Sequence, residues 1–356
     1  MTKTWEFSIS PLHFNFSVFT ENMEEQIPLY KHYLKAIIPG SIALLYGLIA
    51  WLVFASDLTD RYANIVSWSF IAVLPFTLGG LVTILGTHFC GHSPFWTYFA
   101  PSITITLGVI LSFITRLEAL LCVVVAFPIM ILPCFLGGLF ASFLMKKYSK
   151  RVHLNMLILL PYLSPIIENQ WEKPQEVVTI KDQIIIQSDV ETIWKKIASV
   201  EEIQREELPF QWIYLLDFPR PLSAEIDHYG VGGKRVATFE RDVSFFEVVT
   251  VWQEQKELAF TIHADPDFIP KSAFDQHIIV GGRFYDVLDG KYTIEENHNH
   301  CVLHLESQHR LSSPFNKYAG FWSEWVMNQI QGSILTVIKN RCEKESSIPE
   351  SNKQAF

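Results

Sequence analysis

Charged residues are scarce at the start of this 356-residue chain. Residues 1–167 hold 9 Lys+Arg and 7 Asp+Glu, against 19 and 30 in residues 168–356. The net charge of −9 therefore comes from the second half, and an acidic unit without a basic face argues against nucleic acid as a partner. The five cysteines form no CxxC pair and no framework spacing, so nothing requires an oxidising compartment; Cys122 and Cys134 lie in apolar runs, where they pack as small hydrophobes. Paired carboxylates, a nucleophile elbow and a metal motif are all missing, and no cofactor is expected. His88, Cys90 and His92 alternate without a nearby carboxylate and read as loop polarity, while His263, Asp265 and His277 are too scattered for a metal site. Gly230, Gly232 and Gly233 are flanked by strand patterns and read as a hairpin, not a phosphate loop. The start also lacks the basic-then-apolar plan and small-residue cleavage site of a secretory leader.

Apolar residues are abundant instead, at 49% of the chain, with a mean hydropathy of +0.20. Four long apolar runs, about 36–56, 67–87, 97–115 and 119–145, each approach the roughly 20 residues needed to cross a hydrocarbon core. Trp51, Trp68, Trp96 and Tyr98 lie near the run ends, where amphipathic rings favour an interface. Residues 35–151 are therefore expected to form a four-helix transmembrane region. It is preceded by a tail over 1–34, in which Phe7, Ile9, Phe14, Phe16 and Val18 nearly alternate, as in a short strand, an interfacial film or a loosely ordered segment.

Lys31 and Lys35 before the first run, and Lys146, Lys147, Lys150 and Arg151 after the last, predict that both ends face the cytoplasm. A linker follows over 152–174. Its apolar part, within 153–168, is short and contains Pro161 and Pro165, so it reads as interfacial or re-entrant; if it crossed, the second half would change sides. The setting expected is a bacterial inner membrane, with membrane lipids as partners and the second half in the cytoplasm.

Beyond residue 174 the pattern changes to period two. Val178, Ile180, Ile184 and Ile186 read as a strand, followed by a short helix capped by Ser188 or Asp189 and a second around 201–207. A loop with Pro209, Pro219 and Pro221 carries Phe210, Trp212, Tyr214 and Phe218, an aromatic density that suits a cover or a membrane-contacting edge. Strand signals then recur over 224–228, 235–241, 245–252, 258–264, 278–280, 283–296 and 301–311, as in a meandering antiparallel sheet. Residues 314–344 complete the pattern as one long helix, with Ser313 as its cap and Pro314 in its first turn. A disordered tail is expected over 346–356.

This order of elements, with SDVETIWKKIASVEEI after the first strand, GVGGKRVATF at the hairpin and FFEVVTVWQEQKELAF across the middle, resembles the START, birch-pollen-allergen and polyketide-cyclase superfamily, SRPBCC. The resemblance covers about residues 176–343. It implies an α-helical membrane region followed by an α+β helix-grip domain (175–345), a curved antiparallel sheet around a long C-terminal helix with an apolar cavity between them. No short catalytic motif defines this superfamily, so the resemblance implies a tendency to bind hydrophobic ligands and names no ligand. The four helices in front are arranged as in START proteins tethered to membranes, an analogy of arrangement without a shared motif.

Alternation places Cys301, Leu303, Leu305, Ser307, His309 and Leu311 on one face of the last strand. The facing cavity residues expected are Phe260, Ile262, Tyr285, Val287 and Tyr292 from the sheet, with Gly290 able to shift the parity, and Tyr318, Phe321, Trp322 and Trp325 from the helix. A mostly apolar wall with a few polar handles suits a lipid or polyketide-like molecule, bound for transport or sensing. One alternative is a cyclase or dehydratase-like enzyme, with His309 moving protons and Tyr285 or Ser307 assisting. Another is a regulatory module for a protein partner. Arg220, Arg235, Arg283 and Arg310 are expected in solvent, unless one meets a lipid head group at a cavity mouth.

Overall fold

The computed structural model describes residues 29–56, 58–59, 62–148, 154–171, 174–264 and 278–347. The alternating N-terminal segment, residues 265–277 with Asp265 and His277, and residues 348–356 lie outside this description. The first half is a helical bundle: α1 (Leu29–Phe54), a π-helical turn (Ser69–Val73) continuing into α2 (Leu74–Cys90), the short α3 (Pro94–Tyr98), α4 (Ala100–Ile114), α5 (Leu120–Tyr148) and α6 (Leu154–Glu168).

Three stretches, Lys35–Phe54, Ser69–Cys90 and Leu120–Lys147, are long and apolar enough to cross a hydrocarbon core. Four such helices were expected. The third run instead breaks at Phe99, leaving α4 with 15 residues. Pro94 opens α3 and Pro101 sits in the first turn of α4, where the missing N–H costs nothing, so each proline marks a helix start.

The tightest helix contact joins α2 to α5. A Cβ on Gly79 would lie 1.8 Å from the Cys134 carbonyl oxygen, and one on Gly137 would lie 1.9 Å from that of Phe76. Only glycine lets the two backbones approach this closely.

Helix α6 packs along α1 and α2. The Tyr46 hydroxyl donates to the Ile158 carbonyl (2.7 Å), and the Tyr62 hydroxyl donates to that of Tyr162 (3.0 Å). At its end the buried Glu168 carboxylate accepts from the Trp68 N–H (2.8 Å), the Ser69 N–H (3.0 Å) and the Ser69 hydroxyl (2.7 Å). Those amides open a helical segment and have no partner within it, so the carboxylate caps it and meets the positive end of its dipole. The chain thus returns to the end of the bundle that holds Trp68. The other end holds Cys90, whose thiol donates to the Lys35 carbonyl (3.3 Å).

The second half forms β1 (Glu176–Ile186), α7 (Val190–Ala198), a 3-10 turn (Arg205–Glu207), α8 (Trp212–Leu215), β2 (Pro221–Ile226), β3 (Lys234–Phe239), β4 (Val243–Gln253), β5 (Glu257–His263), β6 (Tyr285–Asn297), β7 (His300–Leu311) and α9 (Asn316–Ser346). All strand pairs are antiparallel, in the order β1-β7-β6-β5-β4-β3-β2. This half-barrel with a long C-terminal helix is a helix-grip arrangement.

The strand expected over 278–280 is only a single bridge from Val280 to Tyr285. Helix α9 begins two residues later than expected. Ser313 closes the turn before it, its N–H (2.7 Å) and hydroxyl (3.0 Å) donating to the Asn316 side-chain oxygen, and Pro314 belongs to that turn. A core of Ile186, Ile193, Ile197, Leu258, Leu303, Leu335 and Ile338 closes the far end of the domain.

Gly137→Val would drive a side chain onto the Phe76 carbonyl, and overpacking of this kind costs about 1–3 kcal/mol. The substitution is expected to lower the thermal midpoint of the detergent-solubilised protein in far-UV circular dichroism; an unchanged midpoint would contradict backbone contact between α2 and α5.

Candidate functional site

The sheet and α9 separate before they reach the bundle. From Lys317 to Ile330 no residue of α9 is fully buried, whereas Gln331, Ser333, Leu335, Val337, Ile338 and Cys342 are. The opening is a cavity of about 1780 Å³ lined by the sheet, by α9 and by the bundle, where α1, α4 and α5 contribute most and the start of α2 adds Leu74 and Leu78. Ring contact between Trp68 and Phe315 (4.0 Å) and a bond from the Tyr318 hydroxyl to the Val125 carbonyl (2.6 Å) mark where the two halves meet.

Phe260, Ile262, Tyr285, Val287, Tyr292, Leu305, Ser307, Tyr318 and Trp322 lie on the cavity wall. The parity of β6 does change. A register shift between Val287 and Asp289 places Val287, Gly290 and Tyr292 opposite His309, Ser307 and Leu305. Gly290 leaves room for the Phe260 ring, whose Cε2 would be 2.6 Å from any Cβ there.

Four other expected residues lie elsewhere. Leu303 is part of the closed core, and Phe321 points outward with 65% of its surface exposed. Trp325 is half-buried off the wall and packs edge-on against Trp322. His309 is fully enclosed, its Nε2 2.9 Å from the Ser323 hydroxyl and its Nδ1 without a partner. Burial lowers the His309 pKa to about 4, so its ring is neutral at physiological pH.

The two residues proposed to assist His309 are also committed elsewhere. The Tyr285 hydroxyl points to Met327 Sδ (3.5 Å), and burial holds its phenol well above the usual range. Ser307 accepts from the Gln331 amide (2.8 Å). Among the described residues no group of three His, Cys, Asp or Glu side chains is gathered closely enough to hold a metal ion.

Arg235 was expected in solvent but is buried on the wall, where its guanidinium donates to Glu247 (2.9 Å) and lies over the Phe260 ring (5.1 Å). Burial raises the Glu247 carboxyl pKa, and the Arg235 charge opposes that rise. The signal was present in the sequence. Arg235 shares a β3 row with Ala237 and Phe239, Glu247 shares a β4 row with Val243, Phe245 and Val249, and the two stand directly opposite in register. By contrast, Arg220 pairs with Glu240 (3.2 Å), and Arg310 donates to the Gly282 (2.9 Å) and Arg283 (3.1 Å) carbonyls.

No protein-family model matches the chain, and no curated protein matches it. Solved structures with a similar course include norcoclaurine synthase from Thalictrum flavum, 11% identical, with a TM-score of 0.32, covering 49% of this chain and 99% of that one. An uncharacterized protein from Rhizobium leguminosarum is 9% identical, with a TM-score of 0.30 and coverage of 48% and 99%. The Aha1 dimer from Colwellia psychrerythraea is 15% identical, with a TM-score of 0.26 and coverage of 47% and 96%. At these values the likenesses say nothing of substrate or chemistry.

The neutral His309 ring contributes stability that is fully present above its ordinary pKa near 6.5 and is lost as pH falls from there through about 4. Thermal midpoints measured between about pH 7 and about pH 4.5 are expected to fall less in His309→Gln than in the parent. An identical slope in the two proteins would contradict this assignment.

Proposed function

We propose that this chain is a membrane-anchored binder of a hydrophobic small molecule, held in the helix-grip cavity for transport or sensing. The observation that carries this reading is the continuity of the cavity: one apolar space lined by the sheet, by α9 and by helices apolar enough to sit in a bilayer. Transfer of an apolar ligand into such a space is favoured by about 25 cal/mol per Å² removed from water. Tethering at the bilayer raises the effective concentration of a poorly soluble ligand. A module for a protein partner would instead call for a filled interior. The cyclase-like alternative gains no support from His309, which is bonded to Ser323 and lies off the cavity wall.

The orientation we propose reverses the sequence-based expectation. Lys35, Lys146 and Lys147 belong to the bundle end opposite Trp68 and the sheet domain, because α6 carries the chain back before the domain begins. The excess of basic residues on cytoplasmic flanks then puts that end in the cytoplasm and the sheet domain across the membrane from it.

Leu305→Trp would fill the wall at the centre of β7. Binding of an environment-sensitive fluorescent lipid by the full-length protein in nanodiscs is expected to weaken about tenfold or more, equivalent to about 1.4 kcal/mol; equal binding would count against the cavity. For orientation, a membrane-impermeant maleimide applied to intact cells is expected to label His298→Cys and spare the exposed Cys90. The opposite labelling would overturn the assignment of sides.

A further inference from the structure

Resting on the ligand-binding reading above, we infer that the occupant is a long-chain lipid with a small hydrogen-bonding head, which enters head first and leaves its tail in a groove between α1, α4 and α5. The length of the space is the first argument. Along α4 it is lined from Thr104 to Thr115, and along α9 from Tyr318 to Ile334. At about 1.5 Å per residue these stretches measure about 16 Å and about 24 Å. Tyr318, where the α9 stretch begins, meets Val125 of α5, and the α9 stretch alone gives a path of about 24 Å. An extended acyl or isoprenoid chain fits that path, and a compact ring system would leave most of it empty.

Polarity along the path gives the direction. In the bundle the lining includes Gly47, Leu48, Gly108 and Leu111, and the Ser112 and Thr115 hydroxyls donate to carbonyls of their own helix, Val109 (2.8 Å) and Leu111 (2.7 Å). Arg116 and Glu118 also line this part, at the turn between α4 and α5, where Glu118 accepts from the Trp51 indole N–H (2.6 Å), so the apolar stretch for a tail is the one deeper in the bundle. The far end is different. Gln331 is 2% exposed, and its amide spends one polar atom on Ser307 while the other has no partner. Whichever way that amide is turned, one buried hydrogen-bonding atom at this end of the space is left without a partner, and a buried group left unpaired is costly. A hydroxyl, which both donates and accepts, satisfies either orientation.

The groove also has an opening. Leu48, Leu111 and Ile114 line the cavity and are 44%, 47% and 66% exposed, as residues at the rim of an open groove are. A chain lying among them is continuous with the space that surrounding lipid tails would occupy. Gly47 and Gly108 keep the passage wide, since neither brings a side chain to the wall.

The test uses the full-length protein in nanodiscs and two photoactivatable long-chain primary alcohols, one with its diazirine beside the hydroxyl and one with it at the chain end. After irradiation and proteolysis, the head-proximal probe is expected on peptides containing Ser307 and Gln331, and the chain-end probe on peptides from 104–126. Gly108→Phe is expected to abolish the chain-end labelling of the bundle, and Gln331→Leu to weaken retention of the alcohol about tenfold while leaving the matching alkane unchanged. Reversed labelling, or both probes confined to the sheet domain, would overturn the head-first assignment while leaving ligand binding in place. Failure of both probes to label any lining peptide would overturn the binding reading as well.

Discussion

The contact on which the architecture depends is the closure of the second half of α9 against the sheet. From Leu335 to Cys342 the helix inserts Leu335, Ile338 and Cys342 among Ile186, Leu258 and Leu303, and this anchors a helix of 31 residues at one end. Its first half then extends beyond the closed core and holds Tyr318, Trp322 and Val326 over open space. A shorter helix, or one packed along its whole length, would leave no cavity. The cavity follows from where the packing stops.

The same geometry joins the two halves of the chain. Because α9 projects toward the bundle, Phe315 just before it meets Trp68 and Tyr318 meets Val125, and the cavity beneath it is lined by residues of both halves. Glu168 holds the other connection. Its carboxylate caps the amides of Trp68 and Ser69, so the end of α6 and the start of α2 are fixed beside the domain they lead into. The polar groups of the sheet are placed with similar economy, for Arg235 and Glu247 answer each other inside the wall, and removing one partner would strand a buried charge.

Much of the sheet domain was legible because period-two alternation is a local signal. The β7 row from Cys301 to Leu311 is buried at every second residue, as its sequence pattern indicates, and the hairpin and terminal helix have equally local signatures. What escaped depends on contacts between distant segments. Alternation puts Arg235 in a row with Ala237 and Phe239, but only the β3–β4 register brings Glu247 opposite it. The outward direction of Phe321 depends on which helix face the sheet meets, and the partner of His309, Ser323, comes from α9. In the bundle, hydropathy read 97–115 as one run because it does not register the break at Phe99. It also could not reveal that Glu168 finds its partners 99 and 100 residues earlier.

The central claim is that one apolar ligand occupies one cavity reaching from the sheet domain into the bundle. Native mass spectrometry of the full-length protein, released from mild detergent and followed by lipid extraction, addresses it most directly. The account predicts a co-purifying long-chain lipid at near one-to-one stoichiometry that survives removal of loosely bound detergent and lipid. A folded protein that carries no such molecule, and takes none up when incubated with vesicles, would contradict it.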